Sequence, residues 1–149
     1  MSAASQQKNM QDIFQLVSMD LGYIHGEYGE GTYGAKRIFL RKSAAFLRAL
    51  GKDLGFIDMK VTTNPAGIAV SGDVTLMGLW SEGNGLYFQI NEPLRPFNSF
   101  LYRSIKHMKD YTGGSNQWLP CAMFEIGAYE SVVMTLSMLR RVEAVRYAA

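Results

Sequence analysis

The chain has 149 residues, of which 48% are hydrophobic and 19% are charged, a balance typical of a folded globular domain. It contains no apolar run of about 18 residues, which excludes a membrane-spanning helix, and its single cysteine, Cys121, excludes an internal disulfide. The N-terminus lacks the apolar core of a signal peptide, and together with the lone cysteine this predicts a cytoplasmic protein.

Helical periodicity dominates the first third of the chain. Apolar residues recur every three or four positions up to Leu21, which predicts a first helix over residues 7–21, preceded by flexible residues 1–6. The glycine-rich stretch 23–34 is typical of an irregular loop. A second helix is predicted over residues 35–54, with Gly55 at its C-terminal end. Its apolar face consists of Phe39, Phe46, Leu47, Leu50 and Leu54.

From Phe56 the apolar period changes from that of a helix to that of a strand. Alternating runs lie within residues 57–63, 68–80, 86–90 and 100–105, and Gly72 indicates a bulge or a break in the second run. Short connections, among them the Asn-Gly pair at residues 84–85, favour an antiparallel meander.

Helical spacing returns at Tyr129 and predicts a final helix. For residues 119–127 a strand and an early helical turn both stay open, because Gly127 weakens a continuous helix. The order α-α-β-β-β-β-α predicts a single α+β domain over residues 1–149. In it, an antiparallel sheet of about four strands in residues 56–106 is flanked by helices on one face.

Charge is distributed unevenly along a chain whose net charge is +2. Residues 36–54 contain six basic residues and one acidic residue, whereas the rest of the chain contains nine basic and twelve acidic residues. Such a basic helix face can bind an acidic protein, can bind the phosphates of a nucleic acid, or can simply be solvated. Four of its basic residues fall on the helix side opposite the apolar face: Arg37, Arg41, Arg48 and Lys52.

Residues 29–34 fit the pattern G-x-G-x-x-G, but the sequence around them excludes its two usual meanings. A kinase loop needs flanking strands and the H-R-D and D-F-G segments, and a Rossmann loop needs a preceding strand. What stays open is an anion site at the start of the second helix, with Arg37 nearby, or a plain connection.

The segment 109–120 has two adjacent glycines and a Trp-Leu-Pro exit, which predict a definite backbone path. As a rigid corner, it would use Asp110 and Asn116 to bond loop amides, with Trp118 packed beneath. As a binding surface, it would gather the polar side chains of Arg103, Lys109, Asp110 and Asn116 around a polar ligand or a partner. These two roles are compatible, because a stiff corner presents its side chains at low entropic cost.

Residues suited to catalysis are sparse. His25 and His107 are isolated, and no Cys, His, Asp and Glu set shows metal-ligand spacing, so we predict no cofactor or metal. Cys121 is interpreted as a small packed residue rather than the nucleophile of a Cys/His pair. A small enzyme would have to use Arg103, His107, Asp110 and Asn116, with the histidine exchanging the proton. In the alternative interpretation, His107 is exposed on the strand and Asp110 caps the turn.

Three segments carry a resemblance to a known group of proteins: N-x-x-GIAVSGDV-x-L at residues 64–76, LYR at 101–103 and KDYTGG-x-N-x-W at 109–118. They resemble small uncharacterised domains of phages and plasmids, some attached to very large polyvalent proteins. The resemblance covers roughly residues 55–120, not the flanking helices, and supplies no catalytic residues. It implies an accessory protein of a mobile element.

We therefore expect a non-enzymatic interaction protein that acts by surface binding, with inhibition of a host defence complex as an activity that fits this setting. A nucleic-acid-binding module that uses helix 36–54 is the first alternative, and a small enzyme is the second. The partner predicted for the first hypothesis is a protein with an acidic surface.

Overall fold

The computed structural model describes residues 2–18, 30–64, 74–91 and 99–148, with side chains described except at residues 17–18, 30–36 and 141–148. The described elements form an α+β domain, which confirms the predicted fold class. In chain order they are α1 (Ala3–Ser18), α2 (Glu30–Asp53), β1 (Asp58–Thr63), β2 (Val74–Leu79), β3 (Gly85–Ile90), β4 (Ser99–Ile105), β5 (Gln117–Pro120), α3 (Ala122–Ile126) and α4 (Tyr129–Ala148).

The five strands form one antiparallel sheet in the order β1-β2-β3-β4-β5, so the predicted meander is confirmed. The fifth strand lies outside the predicted region 56–106 and pairs with β4 in the register Phe100↔Leu119. Its four residues are too few to show the alternating pattern of a strand. Pairing with β4, rather than intrinsic β propensity, keeps this segment extended.

The hydrophobic core lies between one face of the sheet and the helices. Leu76, Phe88 and Phe100 point to this face and are essentially inaccessible to solvent. A chain of ring contacts crosses the layers: Phe124 of α3 lies 5.0 Å from Phe100 and 5.3 Å from Phe46 of α2, between ring centroids. Rings at these distances add to the free energy of burial, so these contacts stabilise the packing of α2 and α3 against the sheet.

Two helices begin earlier than the sequence pattern indicates. Residues 3–6, expected to be flexible, belong to α1, and the buried Gln6 donates a side-chain hydrogen bond to the Phe46 carbonyl oxygen at 3.1 Å. Gln7 bonds both the Gly127 carbonyl oxygen and the Tyr129 amide, which ties α1 to the start of α4. These are long-range contacts, and a periodicity argument confined to α1 cannot detect them.

The ambiguous segment 119–127 contains both of the structures that were left open. The chain is extended as far as Pro120, then forms the short helix α3, and Gly127 separates α3 from α4. The predicted bulge or break at Gly72 and the part of the glycine-rich loop up to residue 29 fall outside the described residues. None of the described helices is long and apolar enough to cross a membrane.

Candidate binding surface: the basic row of α2

Four cations of α2, here called the basic row, lie together on the exposed side of the helix. The row consists of Arg37, Arg41, Arg48 and Lys52, and all four residues are exposed. At a rise of about 1.5 Å per residue, the row spans about 22 Å along the helix. The opposite side of α2 is buried against the sheet, so the packing of α2 fixes the direction in which the row faces.

No described carboxylate forms an ion pair with the basic row. Lys42, in the same helix, differs: its ammonium lies 3.1 Å from the carboxylate of Asp12 in α1. Like charges at i and i+4, as in Arg37–Arg41 and Arg48–Lys52, destabilise a helix by about 0.2–0.5 kcal/mol per pair. The row therefore carries a small cost in stability that a bound acidic group would remove.

The loop between β4 and β5 is a rigid corner organised by Asp110. The Asp110 carboxylate accepts hydrogen bonds from the amides of Lys106 at 3.0 Å, Gly113 at 2.6 Å and Thr112 at 3.3 Å. These bonds, the one from Lys106 first, hold the pKa of Asp110 below its usual range, with a smaller contribution from the positive charge of Arg103. Gly113 must lack a side chain here, because a Cβ would overlap the Asp110 carboxylate.

Arg103 supports the same corner from below. Its guanidinium donates to the carbonyl oxygens of Asp110 and Gly113, both at 2.9 Å, and lies 4.6 Å from the centroid of the Tyr87 ring. The residue is only 6% exposed. All of these contacts of the Arg103 guanidinium are with the loop and the sheet of the same chain.

The residues predicted around this loop differ in their exposure. Lys109 and Asn116 are exposed, while Arg103 and Asp110 are buried. Trp118 was expected to pack beneath the loop, but it is 54% exposed on the sheet face that lies away from the core, opposite Leu101. The corner is thus held by Asp110 and Arg103, without a tryptophan beneath it.

The residues considered for catalysis have contacts of an ordinary structural kind. The exposed His107 accepts a hydrogen bond from the Lys109 amide through Nδ1, which closes a short turn after β4. Cys121 is buried, and burial raises the pKa of its thiol to about 12, so the thiolate is scarce at neutral pH. In the described part of the chain, no group of three His, Cys, Asp or Glu side chains could hold a metal ion.

The glycine-rich segment 29–34 was predicted as part of an irregular loop, but its described residues 30–34 are helical. From Glu30 onward it is the first part of α2, because the helix begins five residues earlier than predicted. The predicted helix start at residue 35 was wrong, because the low helix propensity of glycine is a weak tendency that the wider structure can override.

Sequence reasoning missed a groove of about 520 Å³ between the start of α1, the end of α2 and α4. Its walls include Val133 and Met134, and its polar side is formed by Asp53 and Tyr129, whose hydroxyl donates to the Asp53 carboxylate at 2.5 Å. Burial raises the pKa of Tyr129, and this hydrogen bond raises it further. No local motif could predict the groove, because its residues lie far apart in the sequence.

Comparisons of the chain with protein-family models, curated proteins and solved structures gave no match. Function must therefore be inferred from the residues themselves.

Proposed function

We propose that the chain is a non-enzymatic binding protein of a phage or plasmid that uses the basic row to occupy an acidic surface on a protein partner. The observation that supports this is the row itself, four exposed cations on one helix side with no acidic partner among the described side chains. An acidic surface would supply the missing counter-charges and guide the encounter of the two proteins.

The overall charge favours a protein partner over a nucleic acid. Surfaces that bind nucleic acids are much more positive than other interfaces, and their domains are usually strongly basic. Here the net charge is +2, and the exposed Asp53 directly follows the row. Outside residues 36–54 the chain has nine basic and twelve acidic residues, so an extended phosphate backbone finds little further positive charge, whereas a protein needs only a local acidic patch of matching length.

The mobile-element setting is supported by the resemblance of residues 55–120 to phage and plasmid domains. Within it, we propose inhibition of a host defence complex, because blocking a surface needs shape and charge but no catalytic residues. The contacts of Arg103 and Asp110 fit this proposal, since both side chains are engaged within the loop.

The decisive experiment compares three tagged proteins in pull-downs from nuclease-treated lysates of several hosts. The first is the wild type, the second is Arg41→Glu with Arg48→Glu, and the third is Lys8→Glu with Lys106→Glu. The third is a matched control, because both lysines are exposed outside the row and the change in net charge is equal. We expect one host protein, identified by mass spectrometry, to be retained by the wild type and the control and reduced at least about tenfold in the row variant.

Two outcomes would contradict the proposal. Equal recovery of the same partner by the row variant would show that the row does not contact it. A complex with nucleic acid in gel shifts, lost in the row variant, would assign the row to phosphates instead. In that case the affinity should fall with a log–log salt slope of about −3.6, as expected for four phosphate contacts on duplex DNA.

A further inference from the structure

The first strand, β1, forms one edge of the sheet among the described residues. Within the described residues it pairs only with β2, and its six residues contain no proline or glycine. Four of its six side chains are exposed, and the preceding Ile57 is 72% exposed. Along one side of an edge strand, N–H and C=O groups point away from the sheet and can pair with another strand.

The opposite edge of the sheet is protected in the usual way. There β5 has only four residues and ends at Pro120, which has no N–H group to donate. The two edges differ in length and in donors, and β1 alone has the regular extended form that a further strand requires.

We propose that β1 pairs with β1 of a second copy of this chain, antiparallel and about a two-fold axis at Met59. Residues that face each other in a sheet share a face, so the axis must pass through a residue rather than between two residues. With the axis at Met59, Asp58 of each copy lies opposite Lys60 of the other.

This register pairs every charge of β1 with its opposite. Asp58 and Lys60 are exposed on the outer face of the sheet, where two Asp–Lys pairs would form across the axis. On the other face, the exposed Ile57 lies opposite the half-buried Val61 of the second copy. An axis at Lys60 would oppose two lysines, and an axis at Asp58 would oppose two carboxylates, so the alternatives next to it are repulsive.

The inference concerns assembly and does not depend on the proposed function. A two-fold axis perpendicular to the sheet keeps equivalent faces on the same side. Both α2 helices, which pack on the core face, would then lie on one side of a continuous ten-stranded sheet, twice the five strands of one copy. Two basic rows on one side would give a bivalent surface.

Sedimentation velocity over a wide concentration range tests the proposal on four proteins: the wild type, Lys60→Asp, the double variant Asp58→Lys with Lys60→Asp, and the control Lys106→Asp. We expect a reversible wild-type dimer that is weakened at least about tenfold in Lys60→Asp, because each Asp–Lys pair becomes Asp–Asp. The double variant exchanges the two charges and should restore the dimer. The control, which changes an exposed lysine after β4, should match the wild type.

Hydrogen exchange locates the contact. The amides of β1 should exchange more slowly at concentrations where the dimer forms, and those of β5 should be unchanged. A chain that is monomeric throughout would overturn the proposal, as would a dimer that Lys60→Asp does not weaken. A double variant that stays as weak as Lys60→Asp would also overturn it, because the two residues would then not face each other.

Discussion

Replacing Asp110 by alanine tests whether the loop between β4 and β5 is held by one carboxylate. In the folded protein this side chain accepts three amide hydrogen bonds, of which those from Gly113 at 2.6 Å and Lys106 at 3.0 Å are well within the usual range. The third, from Thr112 at 3.3 Å, is longer and weaker. Alanine would remove all three and leave the donors to find water.

A hydrogen bond to a charged group contributes about 1.5–3 kcal/mol, and part of that is recovered where water can reach the donor. Because the neighbouring residues Tyr111 and Thr112 are exposed, we reduce the sum of the two good bonds to about 2–4 kcal/mol of lost stability. Asparagine keeps one acceptor, but its amide group can face the Lys106 N–H as a second donor. For Asp110→Asn we therefore expect a smaller loss of about 1–2 kcal/mol.

Urea unfolding followed by tryptophan fluorescence measures these differences, since the buried Trp80 donates to the Leu54 carbonyl oxygen at 2.7 Å and reports on the core. The hydrogen bonds lower the folded-state pKa of Asp110, so its contribution is fully present above its unfolded pKa of about 3.9. This contribution is lost as the pH falls through the folded-state pKa. The difference in unfolding free energy between the wild type and Asp110→Asn should therefore narrow below about pH 4. A loss under about 0.5 kcal/mol for Asp110→Ala at pH 7, similar to that of an exposed control such as Glu125→Gln, would refute the reasoning.

Two further predictions concern residues on either side of β5. Gly114 has a φ of 75°, and a Cβ there would lie 2.6 Å from the Ser104 carbonyl oxygen, so Gly114→Ala should cost about 2–3 kcal/mol in urea unfolding. The matched control is Gly83→Ala, at a φ of 94° with open space around the Cβ, which should lower the stability by only about 1–2 kcal/mol. Equal losses of stability in the two variants would show that the contact with Ser104 does not matter. Because burial raises the pKa of Cys121 to about 12, its thiol should react with a disulfide reagent at pH 8 at least about 100-fold more slowly in the folded protein than in urea, and equal rates would show that it is accessible.

The elements that the sequence predicted well are those whose own residues carry the signal. The period of two in β1, β3 and β4 and the period of a helix in α2 and α4 come from side chains that all face one core. The elements it missed depend on residues elsewhere in the chain. Strand β5 is extended because it pairs with β4, and the start of α1 is fixed by the contacts of Gln6 and Gln7 with residues 40 to 122 positions away.

The candidate binding residues also divide into those that the local sequence predicts and those that depend on the rest of the fold. The basic row follows from helical spacing alone, and the structure places all four of its residues on the exposed side of α2. The role of Asp110 as an acceptor for loop amides was one of the alternatives, because aspartate before two glycines commonly bonds the following amides. The partner of Arg103 was not predictable. A guanidinium can bind a ligand or a carbonyl group equally well, and only the path of the loop determines that it meets the carbonyl oxygens of Asp110 and Gly113.

Among the described residues the basic row has no ion-pair partner, and this does not follow from a shortage of acidic residues, since the chain has 13 of them. Two other cations, which face a neighbouring element, do have acidic partners. Lys42 forms an ion pair with Asp12 of α1, and Arg140 of α4 forms a bidentate ion pair with Glu82 at 2.8 and 2.9 Å. Even Asp53, which directly follows Lys52, has its carboxylate engaged by the Tyr129 hydroxyl. Four like charges left together on one exposed helix side destabilise the helix slightly. That small cost is the physical reason for regarding the row as a surface that gains its counter-charges from another molecule.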